Sequence, residues 1–142
     1  MSAFLSPLRL TIAVSMFFFT VAVSSAEALL EGIWAPTKAD CFDSDGGLKY
    51  LTFIDLDGNG SDLKIPLVDR YEHHCKINTV TGNAQNMTLN AICYTFWDHL
   101  NAEQEGQEEQ ITLSLVGPDR ILLNGKSHLR CFMRKDVYDE LM

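Results

Sequence analysis

Four cysteines, four histidines and nineteen carboxylates are the residues of this 142-residue chain whose chemistry could reach beyond packing. Cys41, Cys75, Cys93 and Cys131 are separated by 34, 18 and 38 positions. Zinc motifs usually gather cysteines in close C-x2–4-C pairs, so an even count at these spacings reads as two disulfides, with three connectivities open. Asp55-Leu-Asp57-Gly-Asn59-Gly60 carries oxygen ligands where a calcium loop begins. Position 12 of such a loop needs a bidentate Glu and is Pro66 here, so the segment reads as an acidic turn. His73-His74-Cys75 suggests a metal or nucleophile cluster. On a strand, however, successive side chains point to opposite faces, and the two histidines cannot chelate one ion together. His99 and His128 lie on other elements. No Gly-x-Ser-x-Gly elbow, His-Glu-x-x-His helix or Gly-rich phosphate loop is present. No catalytic residue, cofactor or metal is assigned, and an enzyme is not expected. The densest charge is in residues 101–109, where Glu103, Glu105, Glu108 and Glu109 make an acidic loop and the candidate binding surface.

The elements that must position these residues are short. Apolar residues come in brief runs broken by Gly, Asn, Asp and Pro, and no stretch sustains a helical stripe. The runs predict eight strands, at 32–36, 48–56, 63–68, 71–80, 87–97, 110–116, 120–123 and 127–134. Between them lie the turn sequences Asp57-Gly-Asn-Gly, Thr81-Gly-Asn, Gly117-Pro-Asp and Asn124-Gly-Lys, where Gly and Asn accept the positive φ of tight turns. The fold class is therefore all-β: a small antiparallel up-and-down barrel or meander of about eight strands, closed to remove its edges. A turn or two of helix, or a frayed end, is expected over 135–142.

Strand parity favours one cysteine pairing. If the fourth and fifth strands form a hairpin, setting Cys75 opposite Cys93 also opposes Ile77 to Ala91, Thr79 to Leu89, His73 to Thr95 and Tyr71 to Trp97. That face is the apolar one, and cross-strand Cβ spacing is close to what a disulfide spans. Cys41 then pairs with Cys131, tying the first strand to the last. Ile92, Tyr94 and Phe96 break the alternation, which implies that the far side of the fifth strand is also partly covered. Tyr94, Phe96, Trp97 and Trp34 read as core, with Trp97 beside Tyr71 as a barrel plug.

The first residues place the chain outside the cytoplasm. Arg9 is the only charge in the first 26 residues, an apolar stretch runs from Leu10 to Val23, and Ser24-Ser25-Ala26 offers a cleavage site before Glu27. About fourteen apolar residues are too few for a membrane span, which needs roughly twenty. Residues 1–26 are read as a signal peptide and 27–142 as one β domain with a short tail. After cleavage all nineteen acidic residues and ten of the eleven basic ones remain, a formal charge of −9. That charge opposes nucleic acid and anionic lipid and favours a basic protein partner. Localisation is periplasmic or secreted. Asn86-Met-Thr88 has the form of a glycosylation sequon, read as coincidence because the signal has a bacterial character.

Gly32-Ile-Trp34-Ala-Pro36, then Cys41, with Leu-Arg-Cys131 near the end, resembles the frame of small exported β-barrel proteins of alphaproteobacteria with unassigned function. The Gly-x-Trp opening is also similar to lipocalin-like barrels, including periplasmic inhibitors of secreted metalloproteases that act through an N-terminal arm. Here the arm would be Glu27-Ala-Leu-Leu-Glu31. These features imply a non-enzymatic exported binding or interaction protein, envelope-associated or host-directed. The alternatives are a small-molecule or metal carrier using the barrel interior, or a periplasmic inhibitor of a cationic hydrolase such as lysozyme or of a metalloprotease.

Overall fold

The computed structural model describes residues 25–42 and 47–132. Most of the proposed signal segment and the 135–142 tail lie outside the described residues. A short helix α1 (Ser25–Ala28) precedes eight strands: β1 (Gly32–Ala35), β2 (Thr52–Asp55), β3 (Leu67–Arg70), β4 (His73–Asn83), β5 (Asn86–Tyr94), β6 (Gln107–Gly117), β7 (Arg120–Leu123) and β8 (Lys126–Cys131). A second helix, α2 (Trp97–Ala102), sits between β5 and β6, and single 3-10 turns cover Ala39–Cys41 and Gly47–Tyr50. Each strand pairs antiparallel with the next, and β1 pairs with β8, closing the barrel. Closure leaves no sheet edge, as the run of hairpin signals predicts.

Cross-strand partners share a face, so the pairings sort side chains into inside and outside. One buried cluster draws Trp34, Ile54, Val68, Cys75, Leu89, Ala91, Cys93, Ile111, Leu113, Ile121 and Leu123 from seven consecutive strands, and is the barrel interior. Trp34 fills it, fully buried, and donates its indole N–H to the Leu30 carbonyl at 2.9 Å. The Arg130 guanidinium lies 4.3 Å over the Trp34 ring. Its Nη1 donates to the Glu31 carbonyl at 2.8 Å, and Nη2 donates to the Leu29 carbonyl. The segment before β1 is thus tied to the barrel.

A second buried cluster lies on the outer face. Ile33, Ala35, Phe53, Leu67, Tyr94 and Cys131 occupy the alternate strand positions and are covered by Leu100 and Trp97 of α2 and by Cys41. The expectation that the far side of β5 is covered holds for Ile92 and Tyr94, whereas Phe96 is exposed.

Both favoured disulfides are present, Cys75–Cys93 across the β4–β5 hairpin and Cys41–Cys131 joining the turn after β1 to β8. The register begins as expected, with Cys75 opposite Cys93 and Ile77 opposite Ala91. A bulge at Asn78 then shifts it by one, so Thr79 faces Asn90 and not Leu89, and Val80 faces Leu89. The hairpin accordingly turns at Ala84-Gln85, and Thr81-Gly-Asn belongs to β4. Before the bulge the expected register holds through His74–Tyr94, but β5 ends there, so Thr95 forms no ladder pair with His73, whose β3 partner is Arg70. Trp97 is not opposite Tyr71 and does not plug the barrel; it lies on α2, stacked outside on His74.

Other boundaries move for local reasons. The 63–68 run becomes β3 at Leu67–Arg70, because Pro66 has no N–H to give a ladder. The 48–56 run divides into the 3-10 turn and β2. The 101–109 loop is shorter than predicted: α2 ends at Ala102 and β6 begins at Gln107.

Candidate functional site

The four acidic residues of the predicted loop are brought to one side of the barrel but do different things. Glu103 ends α2 in the left-handed region, at φ 52°, and its carboxylate pairs with Lys76 Nζ on β4. That hydrogen bond holds the Glu103 carboxyl below its ordinary range and raises the Lys76 ammonium. Glu105, also at positive φ, lies 3.3 Å from His99 Nδ1. Glu108 points outward from β6 and lines a groove of about 360 Å3 with Asn78, Asn90 and Gln110. Glu109, the next residue, shares a face with its interior partner Ala91 and points inward. Two of the four carboxylates are therefore on a strand.

Gly106 allows this crossing. A Cβ there would sit 2.4 Å from Ile92 Cγ2 and 2.6 Å from Tyr94 Cε1, so only glycine lets the chain pass over the outer face of β5. Next to it, Asn90 Nδ2 donates to Thr79 Oγ1 at 2.9 Å and Gln110 Nε2 to Asn90 Oδ1 at 3.3 Å, making a polar band across β4–β6.

Inside, one end of the barrel is polar. Thr52 pairs with Arg70, Arg70 with His73, Cys75 with Cys93, Cys93 with Gln107 and Ala91 with Glu109. These inward positions ring the mouth beside the β3–β4 and β5–β6 connections. His73 Nε2 lies 3.1 Å from Glu109 Oε2, and His73, Cys75, Cys93 and Glu109 each offer an atom within 4.8 Å of the others. The Arg70 Nε is buried and has no hydrogen-bond partner. Burial lowers the Arg70 pKa, and the Glu109 carboxylate opposes that shift.

The histidines divide as strand parity requires. His73 enters the mouth, whereas His74 is buried on the outer face, its Nδ1 2.6 Å from Asp69 Oδ1 and its ring 4.0 Å from that of Trp97. The acidic turn folds on itself. Asp55 accepts from the Gly58 and Gly60 amides at 2.8 and 3.0 Å, and Asp57 accepts from the Asn59 amide at 2.8 Å. Glu31 joins these two carboxylates, the three groups lying within 4.8 Å of one another. Burial, then the charges of Asp57 and Asp55, raise the Glu31 pKa. Burial, then Asp57, raises that of Asp55. Glu31 was not predicted to join the turn. It is 24 positions away in sequence, and only the Gly32–Ile54 pairing brings it there.

The fold and its site define a closed, disulfide-braced eight-stranded barrel with a packed interior, a polar mouth and an acidic flank. No protein-family model matches the chain, and no curated protein or solved structure matches it.

Proposed function

We propose that this protein is a non-enzymatic exported binding module of the bacterial cell envelope that recognises a basic protein through its α2–β6 flank. The observation carrying this reading is the segregation of charge. Asp98, Glu103, Glu105 and Glu108 are all exposed on that flank, and Lys76, the cation facing them from β4, is engaged by Glu103. Exposed carboxylates at a rim steer a cationic partner and set its orientation. Two disulfides, with no free cysteine among the described residues, fit an oxidising compartment.

The rest of the molecule supports a surface role. Interior positions are occupied by large side chains, Trp34, Ile54, Met87, Leu89, Ile111 and Leu113 among them, which favours a surface over a barrel cavity for a carrier's cargo. The segment before β1 is held by Arg130 and buries Leu30, which favours a segment docked on the barrel over a free N-terminal arm of the metalloprotease-inhibitor kind. Thr79, Thr88, Asn90, Gln110 and Thr112 lie outward on β4–β6 while the interior beyond the polar mouth is packed with apolar side chains, the reverse of the polarity of a membrane barrel.

The test is affinity capture from envelope or host extract with the purified protein and a Glu103→Gln/Glu105→Gln/Glu108→Gln variant, at low and high salt. A basic protein retained at low salt by the wild type and lost from the variant is the expected result. Equal retention by the variant, or retention indifferent to salt, contradicts it.

A further inference from the structure

We propose that two-electron reduction of Cys75–Cys93 turns the barrel mouth into a four-ligand site for a borderline-soft divalent ion of the Zn2+ type, held by His73, Cys75, Cys93 and Glu109. The four donor atoms already lie within 4.8 Å of one another. Tetrahedral Zn2+, with bonds of about 2.0–2.3 Å, needs neighbouring ligand atoms about 3.3–3.8 Å apart. Small rotamer changes cover that difference. The set of one imidazole, two thiolates and one carboxylate also suits that ion's preference for mixed nitrogen, sulfur and oxygen ligands.

The backbone holds these residues independently of the disulfide. Cys75 and Cys93 are direct partners in a ladder running from His74–Tyr94 through Ile77–Ala91. His73 is set by its pairing with Arg70, and Glu109 by its pairing with Ala91. Parting the two sulfurs therefore leaves three strands, β4, β5 and β6, that still aim the four side chains into one mouth. Both cysteines are buried, while His73 and Glu109 are half-buried, so an ion enters past the imidazole and carboxylate and meets the sulfurs beneath.

Charge balance points the same way. Two thiolates, one carboxylate and a divalent cation carry a net charge of −1, and the half-buried Arg70 guanidinium, cross-strand from His73 in the same mouth, supplies the compensating +1. Its buried Nε, without a hydrogen-bond partner in the disulfide form, is a donor available to a metal-bound sulfur or carboxylate.

In the oxidised form the sulfurs are bonded to each other and Glu109 is engaged by His73, so the mouth is closed to metal. Opening it requires a dithiol reductant. The Cys75–Cys93 bond breaks and each sulfur gains one electron and one proton, while the dithiol is oxidised to its own disulfide. Binding of the ion then releases both thiol protons. Metal loading is thereby conditional on a reducing pulse, and the ion in turn protects the thiols from reoxidation.

The test titrates Co2+ into the purified protein before and after reduction, reading the thiolate-to-cobalt charge-transfer absorption and the visible bands of a tetrahedral site. The reduced protein is expected to bind one Co2+, displaced by Zn2+, and the oxidised protein none. Cys75→Ser/Cys93→Ser abolishes the charge-transfer signal, Cys41→Ser keeps it, and His73→Ala and Glu109→Gln each weaken binding at least about tenfold. If full reduction unfolds the chain, Zn2+ restores its near-UV circular dichroism in the wild type and not in Cys75→Ser/Cys93→Ser. Absence of the signal and of this recovery in the reduced wild type overturns the proposal. So does a Cys75→Ser/Cys93→Ser variant that retains the signal, or indifference to both His73→Ala and Glu109→Gln.

Discussion

Removing the two disulfides one at a time gives unequal losses of stability that can be worked from the topology. Cys41–Cys131 spans 90 positions and Cys75–Cys93 spans 18. In the chain-entropy model these loops are worth about 4.6 and about 3.2 kcal/mol, a difference of about 1.4 kcal/mol. All four cysteines are 5% exposed or less, so replacement by Ala removes a similar buried sulfur from each and the packing losses cancel to first order. The native hairpin sharpens the contrast, since Cys75 and Cys93 link strands already joined by their own ladder, whereas Cys41 reaches β8 from outside the sheet. Urea denaturation of Cys41→Ala/Cys131→Ala and Cys75→Ala/Cys93→Ala is the assay. The long-range pair should cost more by about 1–2 kcal/mol, equivalent to roughly 5 °C in melting temperature for a domain of this size. Equal losses, or a greater loss for the hairpin pair, would refute the loop-entropy reasoning and assign the stabilisation to contacts around the interior sulfurs.

Three further outcomes follow from the geometry. Glu31 binds its proton more tightly in the folded chain than in the unfolded one, so the stability it contributes at low pH is lost as pH rises through its raised pKa. Glu31→Gln should therefore stabilise the fold at pH 7 by under about 1 kcal/mol, because the group meets solvent, and have little effect below about pH 4; calorimetry across that range, read as a small rise in melting temperature, checks it. Gly106→Ala should cost about 1–3 kcal/mol by overpacking against Ile92 and Tyr94, with changed amide shifts confined to β5 and the 103–107 crossing in NMR spectra. Trp34→Ala should cost about 3–5 kcal/mol, enough to unfold a marginal domain, and be read as loss of cooperative thermal unfolding.

Features fixed by local chemistry were legible in the sequence. Asn124 and Gly125 both take positive φ in the β7–β8 turn, as Asn-Gly in a two-residue hairpin must. The parity of Cys75 and Cys93 along alternating apolar positions led to the bridge between them, and with it to the other. Features depending on closure of the whole barrel were hidden. The bulge at Asn78 leaves no mark in composition, yet it exchanges the faces of Thr79 and Val80. Helix α2 is six residues long with no side-chain cap at Phe96, too short for a periodic stripe, so its residues read as strand and loop. That misreading kept Glu109 in a solvated loop. Its approach to His73 follows only from the β5–β6 pairing that α2 interrupts.

The proposed binding surface is the acidic flank. The decisive measurement is the affinity of the captured basic protein for the wild type and for Glu103→Gln/Glu105→Gln/Glu108→Gln, followed across a salt series. Three rim carboxylates at about 0.5 kcal/mol each predict a loss of about tenfold at low salt, converging with the wild type as salt screens the charges. Identical affinities at every salt concentration would contradict the assignment of that flank as the binding surface.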